Sequence, residues 1–156
     1  MERKTKIEAK EGRNDLMITR EFDLPIGLLF KAYVEKELLE QWMSTKVIKL
    51  ENKAHGGWKF ETSDPQGNVV FSANGTIHDI IENEKIIRTF EMENSPFPVQ
   101  LEFLEFENTG DESSKLNMQI VYKSVEVRDQ MLKLPFAYGL NMAHDKLEQL
   151  FNNKIS

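Results

Sequence analysis

Three histidines are the first residues of this chain that could do chemistry: His55, His78 and His144. No two of them have the HxH or HxxxH spacing that brings two imidazoles onto one metal ion. His55 precedes a Gly-Gly turn and His144 lies on the last predicted helix, so both are expected at the surface. His78 lies in a predicted strand, where it faces either a cavity or water. We therefore predict no metal site and no cofactor.

The sequence offers no arrangement typical of nucleophilic catalysis. It contains no cysteine, which excludes a thiol nucleophile, a zinc–thiolate site, an iron–sulfur cluster and a disulfide. No serine stands in a nucleophile elbow. Glu102, Glu105 and Glu107 follow one predicted strand and are interpreted as a mainly solvated face. We accordingly predict no catalytic residue.

Aromatic and methionine side chains are stronger candidates, for binding rather than catalysis. An apolar ligand cavity would be lined by such residues, although core packing explains the same positions. The candidate lining residues are Trp42, Trp58, Phe60, Phe71, His78, Arg88, Phe90, Phe103, Met118, Tyr122, Phe136, Gly139, Leu140 and Ala143.

Two arginines and one glycine give sharper signals. Arg20 and Arg88 alternate with apolar residues along predicted strands. Directed into an apolar cavity, either would need an anionic partner, whereas at a strand end it would pair with surface carboxylates. Gly139 interrupts an amphipathic helix at a cost of about 1 kcal/mol relative to alanine. A glycine there permits either a close approach of helix and sheet or room for a ligand.

Hydrophobic periodicity predicts the elements that must position these residues. A strand over 16–22 precedes helical spacing over 26–42, with a joint near Glu35 and Lys36 that divides it into two short helices. From 46 to 123, alternating runs separated by turn residues predict about six strands in an antiparallel meander. Ser124 is a predicted N-cap, and Pro135 separates that helix from a long amphipathic C-terminal helix.

These elements predict an α+β fold. A curved antiparallel sheet of about six to seven strands wraps around the long C-terminal helix, with two short helices after the first strand. One face of such a sheet is exposed to solvent, and the other must be buried against other elements. The helices are the elements available to pack on it. A gap between helix and sheet is the expected ligand site.

Length and charge narrow the classes of function. The 156 residues predict one domain, which we place at 15–153 after a flexible arm over 1–14. Twenty basic and 26 acidic residues give a net charge of −6, which argues against binding to nucleic acid or to a membrane surface. The charged N-terminus lacks the apolar stretch of a signal peptide. We expect a cytoplasmic protein.

Four stretches carry a pattern that is specific in its order and spacing. They are Ile18 to Pro25 (ITREFDLP), Glu37 to Trp42 (ELLEQW), Gly56 to Phe60 (GGWKF), and Arg128-Asp129 with Gly139-Leu140-Asn141 and Leu147. The pattern resembles the family of homologues of the activator of the heat-shock protein 90 ATPase, within the START-like superfamily that includes the birch pollen allergen. The resemblance spans Leu16 to Phe151 and implies a helix-grip fold. The chain departs from the family's common residues at Met43-Ser44-Thr45 and at Leu140.

Three functions stay open at this point. The favoured one is a non-catalytic START-like module that binds a small apolar or amphipathic ligand between helix and sheet. The resemblance also implies a protein–protein module that regulates a chaperone or another partner. The third is a cavity enzyme of the polyketide-cyclase type, with His78, Tyr122 or an inward carboxylate as acid or base. We expect a monomer or a homodimer.

Overall fold

The computed structural model describes residues 4–155, with side chains over 4–151. The strands are β1 Lys6–Glu8, β2 Asp15–Phe22, β3 Lys46–Leu50, β4 Gly57–Ser63, β5 Val69–Ile81, β6 Lys85–Met92, β7 Gln100–Gly110 and β8 Ser113–Val121. The helices are α1 Ile26–Val34, α2 Lys36–Trp42, α3 Val125–Leu132 and α4 Phe136–Ile155.

The strands form one antiparallel sheet in the order β1-β2-β8-β7-β6-β5-β4-β3. From β3 to β8, each strand pairs with the next one along the chain, and β2 pairs with β8. The register shifts at several points, among them Thr62/Ser63 in β4 and Ile77/Asp79 in β5. Such irregularities bend strands and increase their twist. This architecture confirms the predicted helix-grip fold.

The N-terminal segment differs from the predicted flexible arm. Strand β1 pairs with β2 and places Ile7 opposite Ile18. Thr5 is buried, and its backbone N–H donates to Asn141 Oδ1 at 3.0 Å. Ile7 is the one large apolar residue between positions 4 and 14, so the sequence shows no hydrophobic periodicity there. Strand β1 is instead fixed by contacts with distant parts of the chain. This edge strand raises the number of strands in the described residues to eight.

The predicted break between α1 and α2 and the predicted N-cap at Ser124 are confirmed. Glu35 has extended backbone angles (φ −94°, ψ 124°), which separates α1 from α2. The side chain of Ser124 accepts a hydrogen bond from the Val127 backbone N–H at 3.2 Å and caps α3. Helix α3 ends at Leu132, and i→i+3 hydrogen bonds tighten the chain ahead of Pro135.

The core lies between the inner face of the sheet and the helices. Leu147 and Phe151 of α4 are buried in the same cluster as Leu16, Leu104 and Leu116 of the sheet. Helix α4 also packs against α2. The first turns of α4 are not part of this buried cluster, and they border the site described next.

Candidate functional site

A cavity of about 460 Å³ lies between the first half of α4, the end of α2 and the inner face of β5 to β8. Most of its wall is apolar. It is lined by Tyr33, Leu39, Trp42, Met43, Phe71, Arg88, Phe90, Met92, Gln100, Glu102, Met118, Ile120, Tyr122, Met131, Phe136, Gly139, Leu140 and Ala143.

One face of α4 forms the helical wall. Phe136, Gly139, Leu140 and Ala143 recur at helical spacing, so their side chains line the same face of the helix. A Cβ built on Gly139 would meet no atom within 4 Å. The sequence left two roles open for this glycine, a close approach of helix and sheet or room for a ligand. The open space around its Cβ position, beside the cavity, corresponds to the second.

The opposite wall carries the charged groups of the cavity. Arg88 of β6 lies directly across from Glu102 of β7, and its Nε donates to Glu102 Oε1 at 2.9 Å. Gln100 Nε2 donates to the other carboxylate oxygen at 2.8 Å. The guanidinium carbon of Arg88 also lies 5.2 Å from the ring centroid of Trp58. Arg88 and Glu102 are the charged residues among those that line the cavity, and they neutralise one another.

Trp58 supports this wall from behind. It packs against Phe60 and Phe90, with ring centroids 4.8 and 5.5 Å away, and its Nε1 donates to the Thr89 carbonyl at 3.2 Å. Gly75 lies beside it in β5, and a Cβ on Gly75 would overlap the Trp58 indole. The absence of a side chain at Gly75 thus makes room for the indole that supports Arg88.

Tyr122 contributes a hydroxyl without a protein partner. The side chain lines the cavity and is 3% exposed, yet its oxygen makes no hydrogen bond within residues 4–155. Burial, with the negative charge of Glu102, raises the pKa of Tyr122, so the hydroxyl keeps its proton and acts as a donor. A buried polar group in this state costs free energy unless something hydrogen-bonds to it.

Tyr33 is the second tyrosine of the cavity wall, and it differs by having a partner. Its hydroxyl lies 3.1 Å from His144 Nε2, and His144 Nδ1 lies 2.9 Å from Thr5 Oγ1. His144 was expected at the surface but is fully buried. Burial, aided by the positive charge of Arg20, lowers its pKa to about 3, so the imidazole is neutral.

A buried ion-pair network continues from this histidine toward the end of α4. Arg20 donates to Glu148 Oε2 at 3.0 Å and lies 2.8 Å from Asp145 Oδ1. Burial raises the pKa of Glu148, but the Asp23 backbone N–H and the cations of Lys4 and Arg20 outweigh it and lower that pKa overall. Arg20 therefore takes its carboxylate partners from α4, outside the cavity.

The predicted lining residues separate into three groups. Ten lie at the cavity: Trp42, Phe71, Arg88, Phe90, Met118, Tyr122, Phe136, Gly139, Leu140 and Ala143. Trp58 and Phe60 are buried behind the wall. Phe103 and His78 do not line the cavity. Phe103 alternates with the buried Glu102 and Leu104 and lies on the outer face of β7, while His78 is exposed beside His55.

Sequence reasoning missed several residues of the wall. From the sequence, Glu102 is interpreted as part of a mainly solvated face and Gln100 is not singled out, but both share the buried inner face of β7 with Leu104. Two signals in the sequence could have placed them there. One is the alternation of Gln100, Glu102 and Leu104 along β7, and the other is Arg88 on a neighbouring strand, which needs an anionic partner. The other missed residues are Tyr33, Leu39, Met43, Met92, Ile120 and Met131.

The described part of the chain holds neither a metal-binding cluster nor a membrane-spanning helix. Within residues 4–155, no three His, Asp or Glu side chains are grouped closely enough to hold a metal ion. Over the same residues, no helix has the length and apolar character needed to cross a membrane.

Solved structures share the fold over nearly the whole chain. A crystal structure of a protein from Rhodobacter sphaeroides has a TM-score of 0.85 at 17% identity, covering 96% of this chain and 99% of that one. A solution structure of a protein from Staphylococcus epidermidis has a TM-score of 0.79 at 23% identity, with coverage of 96% and 95%. A crystal structure of a protein from Mycobacterium smegmatis has a TM-score of 0.78 at 20% identity, with coverage of 94% and 95%.

The family comparison covers most of the domain. No protein with a curated description matches the chain. The family model described as "Activator of Hsp90 ATPase homolog 1-like protein" matches residues 23–152, which include α1, α2 and the part of α4 that borders the cavity. The chain belongs to the family of activator of Hsp90 ATPase homolog 1-like proteins.

Proposed function

We propose that this protein is a non-catalytic START-like module that binds a small apolar or amphipathic molecule between α4 and the sheet. The observation that carries the proposal is the cavity of about 460 Å³, with aromatic, aliphatic and methionine walls and one polar side. Its volume falls within the range of roughly 300–1,000 Å³ that is common for small-molecule sites.

The composition of the wall favours binding of varied apolar shapes. Met43, Met92, Met118 and Met131 line the cavity, and the flexible, polarizable thioether of methionine adapts to different partners. Burial of apolar ligand surface supplies the driving force, at about 25 cal/mol per Å². Because association costs offset much of this, we expect a dissociation constant of micromolar order.

The polar groups of the cavity support binding better than acid–base catalysis. Both carboxylate oxygens of Glu102 already accept hydrogen bonds, from Arg88 and Gln100. The raised pKa values of Tyr33 and Tyr122 keep both phenols protonated near neutral pH. His78, the imidazole that the enzyme hypothesis invoked, is exposed and does not line the cavity.

A fluorescence titration with N-phenyl-1-naphthylamine tests the proposal. This uncharged probe brightens in an apolar site. Gly139→Leu directs a side chain into open space beside the cavity and replaces a poor helix former with a good one. Gln149→Leu adds the same side chain on an exposed position of the same helix and is the matched control.

We expect the probe to bind wild type and Gln149→Leu alike, and Gly139→Leu at least about tenfold more weakly because the added side chain occupies ligand volume. Circular dichroism checks that both variants keep the fold. Equal binding by two folded variants, or no binding by the wild type, would contradict the proposal.

A further inference from the structure

The cavity combines two features that together restrict the chemistry of its ligand. One is a charged pair whose members neutralise each other, Arg88 and Glu102, and the other is the unpartnered hydroxyl of Tyr122. Resting on the proposed function, we infer that the cavity selects an uncharged amphipathic molecule whose polar group accepts a hydrogen bond from the Tyr122 hydroxyl.

The position of Tyr122 is fixed by contacts remote from any ligand. Its backbone N–H donates to the Asn14 carbonyl at 2.8 Å, and its own carbonyl accepts from Asn14 Nδ2 at 2.9 Å. The backbone of Tyr122 is therefore held at the end of β8, and its side chain, with the buried hydroxyl, belongs to the cavity lining. A donor that is held in place before binding loses little entropy when an acceptor arrives.

The charged pair argues against an ionised ligand. Arg88 is engaged by Glu102, which lies opposite it in the sheet, and Glu102 is also held by Gln100. A carboxylate ligand would meet a guanidinium whose charge Glu102 already compensates, and an ammonium ligand would meet a carboxylate whose charge Arg88 already compensates. An ion that enters an apolar cavity without a free partner pays a large desolvation cost. An uncharged acceptor such as a ketone avoids that cost.

Three ten-carbon ligands of matched chain length separate these chemistries. Decan-2-one carries an uncharged acceptor, decanoate a negative charge and decylamine, protonated near neutral pH, a positive one. Each is titrated at pH 7.5 against protein loaded with N-phenyl-1-naphthylamine, and displacement of the fluorescence reports its affinity. We expect decan-2-one to displace the probe at least about tenfold more tightly than either ion.

Two variants assign the preference to the named groups. Tyr122→Phe removes the hydroxyl alone and should weaken decan-2-one about three- to tenfold, the contribution of one hydrogen bond, after correction for each variant's own affinity for the probe. Glu102→Gln keeps the shape of the side chain but leaves the charge of Arg88 uncompensated. Decanoate should therefore bind Glu102→Gln about tenfold or more tightly than it binds the wild type.

The outcomes separate this inference from the proposed function. If the probe fails to bind the wild type, the proposed function and this inference fall together. If the probe binds and Gly139→Leu blocks it, but decanoate or decylamine matches decan-2-one, only the selection for an uncharged ligand is overturned. Unchanged affinity of Tyr122→Phe for decan-2-one would likewise overturn the role given to its hydroxyl.

Discussion

The two halves of α4 face the same sheet but are bound to it differently. From His144 to Phe151, four residues are buried: His144, Leu147, Glu148 and Phe151. From Phe136 to Ala143, every residue is exposed or only half-buried. One helix thus carries a packed half and a half that borders the cavity.

Polar contacts follow a similar division, although the buried Nε of Arg20, which pairs with the packed half, has no hydrogen-bond partner within the described residues. Both ring nitrogens of His144 and both carboxylate oxygens of Glu148 have partners, from Thr5, Tyr33, Arg20 and the backbone of Asp23. At the cavity, Tyr122 has none within the described residues. The difference indicates that the second half of α4 anchors the fold, whereas the first half covers a space whose contacts a ligand would complete.

The largest effect is expected from the anchored half. Arg20→Ala leaves Glu148 buried without its guanidinium partner, and we expect the free energy of unfolding to fall by roughly 3 kcal/mol. Urea denaturation measures the loss. Lys49→Ala, which removes an exposed ion pair with Glu51, is the control and should change stability little. Equal effects of the two variants would contradict the assignment of Arg20 to an anchor.

A pH effect of intermediate size is expected from His144. Its folded-state pKa of about 3 lies below the unfolded value, so the unfolded chain binds the additional proton as the pH falls. The stability contribution is complete above pH 6.5 and is lost toward pH 3. Between pH 7 and pH 5 we expect the free energy of unfolding to fall by about 2 kcal/mol from this group.

Urea denaturation at several pH values, on wild type and His144→Gln, measures that slope. The variant lacks the titrating group, so its stability should change less than that of the wild type over the same interval, whatever its absolute value. His55→Gln changes an exposed histidine and should keep the wild-type slope. A wild-type slope in His144→Gln would show that other groups titrate there.

The smallest effect distinguishes the two tyrosines of the cavity wall. Tyr33→Phe leaves His144 Nε2 without its partner and should lower the free energy of unfolding by about 1–2 kcal/mol. Tyr122→Phe removes a hydroxyl that has no protein partner, so the ligand-free variant should be as stable as the wild type or more stable by up to about 1 kcal/mol. Thermal and urea denaturation check both, and the reverse order would contradict the division of roles.

Local patterns were enough to predict most of the architecture. Alternation and turn residues placed β2 to β8, and the break at Glu35 and the cap at Ser124 follow from residue types within a few positions. Strand β1 escaped prediction because its partners lie in β2 and α4, far along the chain. Helix periodicity did contain the signal for His144, which follows Leu140 by four residues and precedes Leu147 by three.

The candidate site was less predictable, because alternation divides a strand into two faces without saying which is inner. On β7, the apolar Phe103 faces outward and the polar Glu102 inward, an inversion that depends on Arg88 in the neighbouring strand. The sequence did indicate Gly139 as a residue of the cavity wall, because glycine destabilises the interior of a helix relative to alanine and so suggests a role in packing or binding. That the Tyr122 hydroxyl has no partner among the described residues is a property of the folded structure alone.

Amide hydrogen exchange along α4, with and without N-phenyl-1-naphthylamine, tests the central claim most directly. In the free protein, amides of 136–143 should exchange faster than those of 144–151, because fewer buried contacts oppose local opening. The probe should slow exchange in 136–143 and leave 144–151 unchanged. Equal exchange of both halves in the free protein, or protection confined to 144–151 on addition of the probe, would contradict a ligand site under the first half of α4.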